Sequence, residues 1–261
     1  MSGGAIEARR LPAWDVSFGN WPYPRLIAHR GAGLLAPENT LAALRVGASF
    51  GYRMFEIDVK LSADGKPVLL HDATLERTTD AQGPVGELSL AQIAQLDAGS
   101  WHSAAFAGEP VPLFSNVCAW LRANDLMANV EIKPVPGREA ETGAAVALAA
   151  AHAWLGRAVP PLLSSFSEDA LAAALRAVPR LPRALLLHRV PDDWLERLER
   201  LECVALDVNH EALTADTVAR AHGEGYRVLA YTVNDPARVA LLQEWGVDAV
   251  ITDSVDVVPP Q

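Results

Sequence analysis

The stretch RMFEIDVKLSADGKPVLLHD, residues 53–72, places two carboxylates and an imidazole inside runs that otherwise have the pattern of buried β-strands. An Asp-Gly pair at 64–65 separates the two runs and is a strong signal for a short hairpin. With this pair as the turn, Asp58 is predicted to face His71, and facing residues project to the same side of a strand pair. Glu56 lies two positions from Asp58 and shares that side. The stretch therefore predicts a local cluster of these three side chains.

Apolar strand-like runs alternate with helical patterns along most of the chain. The strand candidates are residues 25–31, 53–61, 66–72, 128–134, 161–166, 183–188, 203–209, 227–234 and 248–253, and the helix candidates are residues 38–51, 137–156, 167–179, 192–200, 214–225 and 235–246. This alternation indicates a parallel sheet covered by helices. Because residues 66–71 form the antiparallel arm of the hairpin, eight parallel strands remain. We predict a single α/β domain over residues 1–261, a (β/α)₈ TIM barrel.

Two segments fall outside this pattern. Residues 73–115 lose the periodicity and are rich in Gly, Pro, Ser and Thr. We predict that they form a small insertion after the hairpin, at the barrel mouth, where active-site lids are often found. Residues 1–24 are predicted to be a loosely docked N-terminal tail.

The amino-acid composition limits the binding partners and the cellular compartment that we expect for this protein. The formal net charge is −10, so the surface is a poor non-specific partner for nucleic acid or anionic lipid. Cys118 and Cys203 are far apart and do not form a CxxC motif, so we expect free thiols rather than a disulfide framework. The N-terminus lacks a signal-peptide core, and no segment has the roughly 18 apolar residues of a membrane span. We expect a cytoplasmic protein; the oligomeric state is left open.

Polar residues interrupt the ends of four strands, where a barrel of this type assembles its chemistry. They are His29, Arg30, Glu56, Asp58, His71, Glu131 and Lys133. The three carboxylates are a hard-oxygen set without a thiolate, which favours one divalent cation, Mg²⁺ or Ca²⁺, over structural zinc. Two histidines near such an ion could share general acid and base roles, since imidazole has a pKa of about 6.5.

Other residues are weaker candidates for contacts with a phosphate-bearing ligand. Arg30 and Lys133 are predicted to bind non-bridging phosphate oxygens. Glu38 and Asn39 precede the first helix, so helix capping accounts for much of the reason why these residue types occur here. Contact with substrate is the second interpretation. Phe166 and Tyr231 are predicted pocket walls.

Five motifs together resemble the glycerophosphodiester phosphodiesterase family: AHRGAGLLAPENTLAAL, FEIDVKLSADGKPVLLHD, NVEIKP, YTVND and AVITD. The resemblance runs from about residue 26 to residue 253. It implies a TIM barrel of the phospholipase C-like phosphodiesterase type that hydrolyses glycerophosphodiesters to sn-glycerol 3-phosphate and an alcohol such as choline or ethanolamine. It also implies one cation on Glu56, Asp58 and Glu131, with His29 and His71 as the acid–base pair. The family commonly reads WTVN where this chain has Tyr231, which puts inferences about substrate preference in doubt.

Several alternatives stay open at this point. A lysophospholipase D or a sphingomyelinase D-like enzyme on the same barrel would need an apolar rim, for which the insertion offers Leu88, Leu90, Trp101 and Phe106. A non-catalytic phosphodiester-binding barrel is a further option, although it need not keep all seven motif residues, and an isomerase or epimerase gives no reason for the paired histidines. The nucleophile could be the glycerol 2-hydroxyl, through a cyclic phosphate, or water. His29 is favoured as the first base and His71 as the acid.

Overall fold

The computed structural model describes residues 14–17 and 19–260. Most of the predicted N-terminal tail, residues 1–13, therefore lies outside the described residues. The strands are β1 Leu26–Ala28, β2 Met54–Leu61, β3 Pro67–Leu69, β4 Met127–Ile132, β5 Leu162–Ser165, β6 Arg183–Leu187, β7 Ala205–Asn209, β8 Arg227–Tyr231 and β9 Ala249–Thr252. The helices are α1 Leu41–Ser49, α2 Leu90–Ile93, α3 Phe114–Ala123, α4 Glu139–Ala153, α5 Glu168–Ala177, α6 Trp194–Arg200, α7 Ala215–Gly223 and α8 Pro236–Glu244.

The strands form one sheet that closes on itself. Their order is β1-β9-β8-β7-β6-β5-β4-β2-β3, and β1 also pairs with β2, so the sheet is a barrel. All pairings are parallel except that of β3, which runs antiparallel to β2 and lies outside the closed ring. The predicted (β/α)₈ barrel is confirmed, including the assignment of residues 66–71 to an antiparallel arm.

The register of the hairpin differs from the prediction by one position. Leu61 pairs with Pro67, and the Leu70 amide donates to the Asp58 carbonyl at 3.2 Å, so Asp58 lies opposite Leu70 rather than His71. The turn contains three residues instead of two, with Gly65 in the left-handed region at φ +72°. The predicted facing pair of Asp58 and His71 is therefore wrong, and His71 lies beyond the end of β3.

The predicted helix segments each contain a helix, and side chains cap several of them. Thr40, Ser167, Thr214 and Asp235 each accept a hydrogen bond from a backbone amide in the first turn of α1, α5, α7 and α8. Helix α3, which returns the chain from the insertion to β4, was not predicted. Its N-cap residue is Leu113, which has no side-chain acceptor, so the usual start signal is missing.

Residues 73–115 contain the short helix α2 and two turns of 3₁₀ helix, Val85–Glu87 and Ala104–Phe106. They share a small apolar cluster with the hairpin, which supplies two of its buried side chains; the cluster consists of Val68, Leu70, Leu75, Val85, Ile93, Ala98 and Val111. The segment therefore has no core independent of the hairpin. No helix of the described residues has the length and apolar character that crossing a bilayer requires.

Candidate active site

The carboxyl ends of the strands enclose a cavity of about 480 Å³. Eight of the residues predicted from the sequence line it: His29, Arg30, Glu56, His71, Glu131, Lys133, Phe166 and Tyr231. Asp58 does not line the cavity and is 1% exposed. A cavity of about 540 Å³ beside α1 contains neither a histidine nor a cluster of acids among its lining residues, so the chemistry is concentrated at the barrel mouth.

Three buried carboxylates form the centre of the site. Glu56, Asp58 and Glu131 each offer an oxygen within 4.8 Å of the other two. Burial raises the pKa of Glu56 well above its usual range, and the charges of Asp58 and Glu131 raise it further. Burial and the charge of Asp58 likewise raise the pKa of Glu131 to about 7. Acids that repel one another in a buried site need a compensating positive charge.

The donor set fits a divalent cation. Glu56 Oε1 and Asp58 Oδ1 are buried and accept no hydrogen bond from any described residue. Carboxylate oxygens are the ligands that Mg²⁺ and Ca²⁺ prefer. The residues present could therefore hold one such ion, which would satisfy both unpaired oxygens and relieve the repulsion among the acids.

Two positively charged side chains of the protein partly balance the negative charge of the acids. Arg30 Nε lies 3.4 Å from Asp58 Oδ2, and Lys133 Nζ lies 3.0 Å from Glu131 Oε1 and 3.9 Å from Asp58 Oδ1. Burial opposes ionisation of Asp58, but Arg30, His71 and Lys133 outweigh it and lower its pKa. Asp58 is thus the acid of the three that the protein itself keeps ionised.

Glu38 and Asn39 are occupied with neighbouring side chains and do not line the cavity. Asn39, with its backbone in the left-handed region at φ 58°, donates to Asp58 Oδ2 at 2.7 Å and accepts from the Asp58 amide at 3.0 Å. Glu38 accepts from Arg30 Nη1 at 2.9 Å. Both residues hold others in place, and contact with substrate stays a prediction for them.

His29 is oriented by an acid from the other end of the chain. Its Nδ1 lies 2.6 Å from Asp253 Oδ1, and its Nε2 lies 3.7 Å from Glu56 Oε2. A Cβ on Gly33 would lie 1.9 Å from the carbonyl oxygen of Asp253, so only glycine allows this close approach. The AVITD motif contains Asp253, but the sequence alone assigned it no role.

His71 is held in a similar way. Its Nδ1 lies 2.6 Å from Asp72 Oδ1, and its Nε2 lies 3.0 Å from Lys133 Nζ. Because an ammonium can only donate, Nε2 accepts this hydrogen bond and the ring proton is assigned to Nδ1. Burial lowers the pKa of His71, in keeping with a neutral ring. Each histidine therefore directs Nδ1 to a carboxylate and Nε2 to the cavity.

Arg77, in the insertion, was not predicted as a site residue and links the two sides of the site. Its guanidinium makes four hydrogen bonds, two to Asp72 and two to Glu38. Asp72 in turn orients His71, and Glu38 holds Arg30. The link spans 39 positions of sequence between Arg77 and Glu38, which no local motif reveals.

Replacing Arg77 by glutamine is expected to lower kcat by about tenfold or more, because Asp72 and Glu38 lose their common bidentate partner and His71 its fixed orientation. The cation-induced rise in Tm should be unchanged, since Arg77 does not contact the acid cluster. Steady-state kinetics and thermal unfolding check both. Arg176→Gln, on the exposed face of α5, is the matched control. Normal kcat in Arg77→Gln would contradict this positioning role.

One wall of the cavity is aromatic. Phe166 stacks on His188 with centroids 4.3 Å apart and meets Tyr231 edge-on at 5.8 Å. The Tyr231 hydroxyl donates to the Leu187 carbonyl at 3.0 Å. The hydroxyl that distinguishes this residue from tryptophan is therefore engaged with the backbone. His188 joins the wall, although the sequence suggested no role for it.

The fold and the site define a phosphodiesterase of the (β/α)₈-barrel class. Residues 29–257 match the family described as the glycerophosphoryl diester phosphodiesterase family, and the chain belongs to that family. It is a glycerophosphodiester phosphodiesterase, as the motifs predicted.

Individual relatives agree with this assignment. A glycerophosphodiester phosphodiesterase of Bacillus subtilis is 30% identical, with 98% of this chain and 93% of the relative covered. The corresponding enzyme of Caldanaerobacter subterraneus is 31% identical over 87% of this chain and 93% of its own. The structure of an Oleispira antarctica phosphodiesterase in complex with the product sn-glycerol-3-phosphate has a TM-score of 0.86 and 38% identity, covering 90% of this chain and 95% of that one.

Proposed function

We propose that the protein hydrolyses glycerophosphodiesters to sn-glycerol 3-phosphate and an alcohol, with one divalent cation on Glu56, Asp58 and Glu131 and with His29 and His71 as acid and base. The observation that carries this proposal is the shared cavity, which sets two carboxylate-oriented imidazoles beside three buried acids. The product bound to the Oleispira antarctica relative supports the choice of products.

Each side chain has a definite task in this scheme. Arg30 and Lys133 bind the non-bridging phosphate oxygens and offset the charge that builds in the transition state. When bound, the cation polarises a phosphoryl oxygen. Asn39 and Glu38 orient Asp58 and Arg30 rather than contacting the substrate. Phe166 and Tyr231 shield the reacting group from water.

Each of the two histidines transfers a proton to or from the reacting groups through its Nε2 atom. One ring accepts the proton of the attacking hydroxyl, and the other donates a proton to the leaving alkoxide. His29 as the first base and His71 as the first acid stays a prediction, and it requires that His71 Nε2, which accepts from Lys133 in this structure, be protonated before it donates. The glycerol 2-hydroxyl and a water molecule both stay open as the nucleophile.

The lysophospholipid alternative is weakened by where the insertion places its apolar side chains. Leu88 and Leu90 pack against the cluster that the insertion shares with the hairpin, and Phe106 packs against the main core. Of these four residues, Trp101 is the most openly exposed, at 40%, and the other three are half-buried. These four side chains therefore offer little exposed apolar surface to an acyl chain.

A coupled assay for glycerol 3-phosphate, with and without EDTA, tests the proposal. We expect release of glycerol 3-phosphate from glycerophosphocholine and glycerophosphoethanolamine, abolished by EDTA and restored by excess Mg²⁺ or Ca²⁺. Choline release from lysophosphatidylcholine should be far slower. Full activity in EDTA, or faster turnover of the lysophospholipid, would contradict the proposal. The choice between Mg²⁺ and Ca²⁺ and a cytoplasmic location stay predictions.

A further inference from the structure

Three buried polar residues lie in the same cavity without a task in the proposed chemistry. Asn129 on β4, Ser164 on β5 and Asp207 on β7 are each 0% exposed, and all three line the cavity. Both oxygens of Asp207, both side-chain polar atoms of Asn129 and the hydroxyl of Ser164 have no hydrogen-bond partner among the described residues. We call these three residues the polar floor. Buried polar groups are rarely left unpaired, so a ligand or ordered water should satisfy them.

The polar floor is adjacent to the acid cluster but separate from it. In the sheet register Asn129 is the neighbour of Glu56, and Ser164 is the neighbour of Glu131. Asp207 sits further round the barrel, where its neighbours are Leu186 and Leu229. Within the described chain, the cluster that could hold a metal ion contains Glu56, Asp58 and Glu131 and does not include Asp207. We therefore do not assign Asp207 to the ligand set of the proposed cation.

The chemistry of the floor suits a neutral ligand with hydroxyl groups. An amide and a hydroxyl each offer both a donor and an acceptor. Burial, and then the charge of Glu131, raises the pKa of Asp207 well above its usual range, so this acid also tends to the neutral form with one donor and one acceptor. Leu186, Phe166 and Ile251 line the same cavity and offer apolar surface to carbon atoms. A short polyol matches both features.

We propose that the polar floor binds the terminal hydroxyl of the glycerol moiety, with Asp207 as its main partner, and so selects glycerol over shorter or deoxygenated alcohols. This inference rests on the proposed function and adds a specificity-determining subsite to it. A site that hydrogen-bonds a substrate hydroxyl disfavours an analogue without that hydroxyl, because its own buried groups are then left unpaired.

The test compares glycerophosphocholine with the 1,2-propanediol analogue, which lacks the terminal hydroxyl and keeps the 2-hydroxyl. The wild-type enzyme should prefer the glycerol substrate by about ten- to a hundredfold in kcat/KM. Asp207→Leu should reduce this preference to about threefold or less, through loss of activity on the glycerol substrate alone. Asp207→Asn, which keeps a donor and an acceptor, should retain most of it. Asp216→Leu, at an exposed position of α7, is the control and should leave the preference unchanged.

Ser164→Ala, which removes a single oxygen, is a second, milder variant, and it should lower the same preference by about threefold. The inference is overturned if the wild-type enzyme shows no preference for the glycerol substrate in kcat/KM. It is also overturned if Asp207→Leu and Ser164→Ala both fold and keep the wild-type preference, which is the result expected if only water binds to the polar floor. It is also overturned if Asp207→Leu loses activity on glycerophosphocholine but not on glycerophosphoglycerol, since the carboxyl would then recognise the cationic head group. A wild-type enzyme inactive on every diester would overturn the proposed function, and this inference with it.

Discussion

Alanine in place of His29 or His71 is expected to lower kcat by about a hundredfold to ten-thousandfold, the range that general acid–base catalysis supplies. Each imidazole directs Nε2 into the cavity and has its Nδ1 on a carboxylate, Asp253 or Asp72, at 2.6 Å. Removing either ring deletes one of the two proton transfers, and no other described histidine lines the cavity except His188, which is stacked on Phe166.

Binding of the cation should survive both substitutions, because the acids that we assign to it are intact. Calorimetry with Mg²⁺ or Ca²⁺, and the rise in Tm that the ion produces, should give values close to wild type. His152→Ala, on the exposed side of α4, controls for a general effect of losing a histidine. Turnover near the wild-type rate in either variant would refute the acid–base assignment, and loss of cation binding would show that the ring acts at the metal instead.

Glutamine in place of Glu56 should abolish both cation binding and cation-dependent turnover. The change removes one of three carboxylates while keeping an oxygen that can accept from the Arg30 amide, as Glu56 Oε2 does at 3.1 Å. In the wild-type protein, cation at a hundred times its Kd should stabilise the fold by about 2.7 kcal/mol. Glu56→Gln should show no such gain, which thermal unfolding with and without the ion measures.

The same variant should be more stable than wild type when EDTA removes the ion. Burial raises the pKa of Glu56 in the folded protein above its value in the unfolded chain, so ionisation of this acid costs stability as the pH rises. Below about pH 3.5 the acid is largely protonated in both states and the variant should gain nothing. Above that pH the advantage should grow, and each 1 kcal/mol corresponds to about 2–4 °C in Tm for a chain of this size.

Glu244→Gln, at an exposed position near the end of α8, is the control for loss of a surface charge and should change neither property. A Glu56→Gln protein that is less stable than wild type in EDTA at pH 8 would contradict the repulsion argument. Retained cation binding would remove Glu56 from the ligand set. The two outcomes are independent, so the electrostatic and the ligand roles of this residue are tested separately.

The sequence by itself determined the fold class and most of the site. Strand and helix periodicities are local properties, so counting them and setting one strand aside as a hairpin arm was enough to predict eight parallel strands. The HRG, ExD and ExK residues lie in or directly after parallel strands, the HD residues follow the hairpin arm, and the carboxyl ends of parallel strands meet at one rim of a barrel. This is why eight of the predicted residues line one cavity.

Only the tertiary structure decided how these residues are oriented and which other residues share their cavity. Asp253 reaches His29 across 224 positions of sequence, and Arg77 reaches Glu38 across 39. The hairpin register depended on whether its turn has two or three residues, which an Asp-Gly pair does not settle. Asp207 resembles an ordinary polar residue in a strand until barrel closure turns it into the cavity, unpaired. The local sequence pattern shows whether a segment is a strand or a helix, because each has its own period. The contacts above form only when the barrel closes and brings together segments that no sequence motif connects.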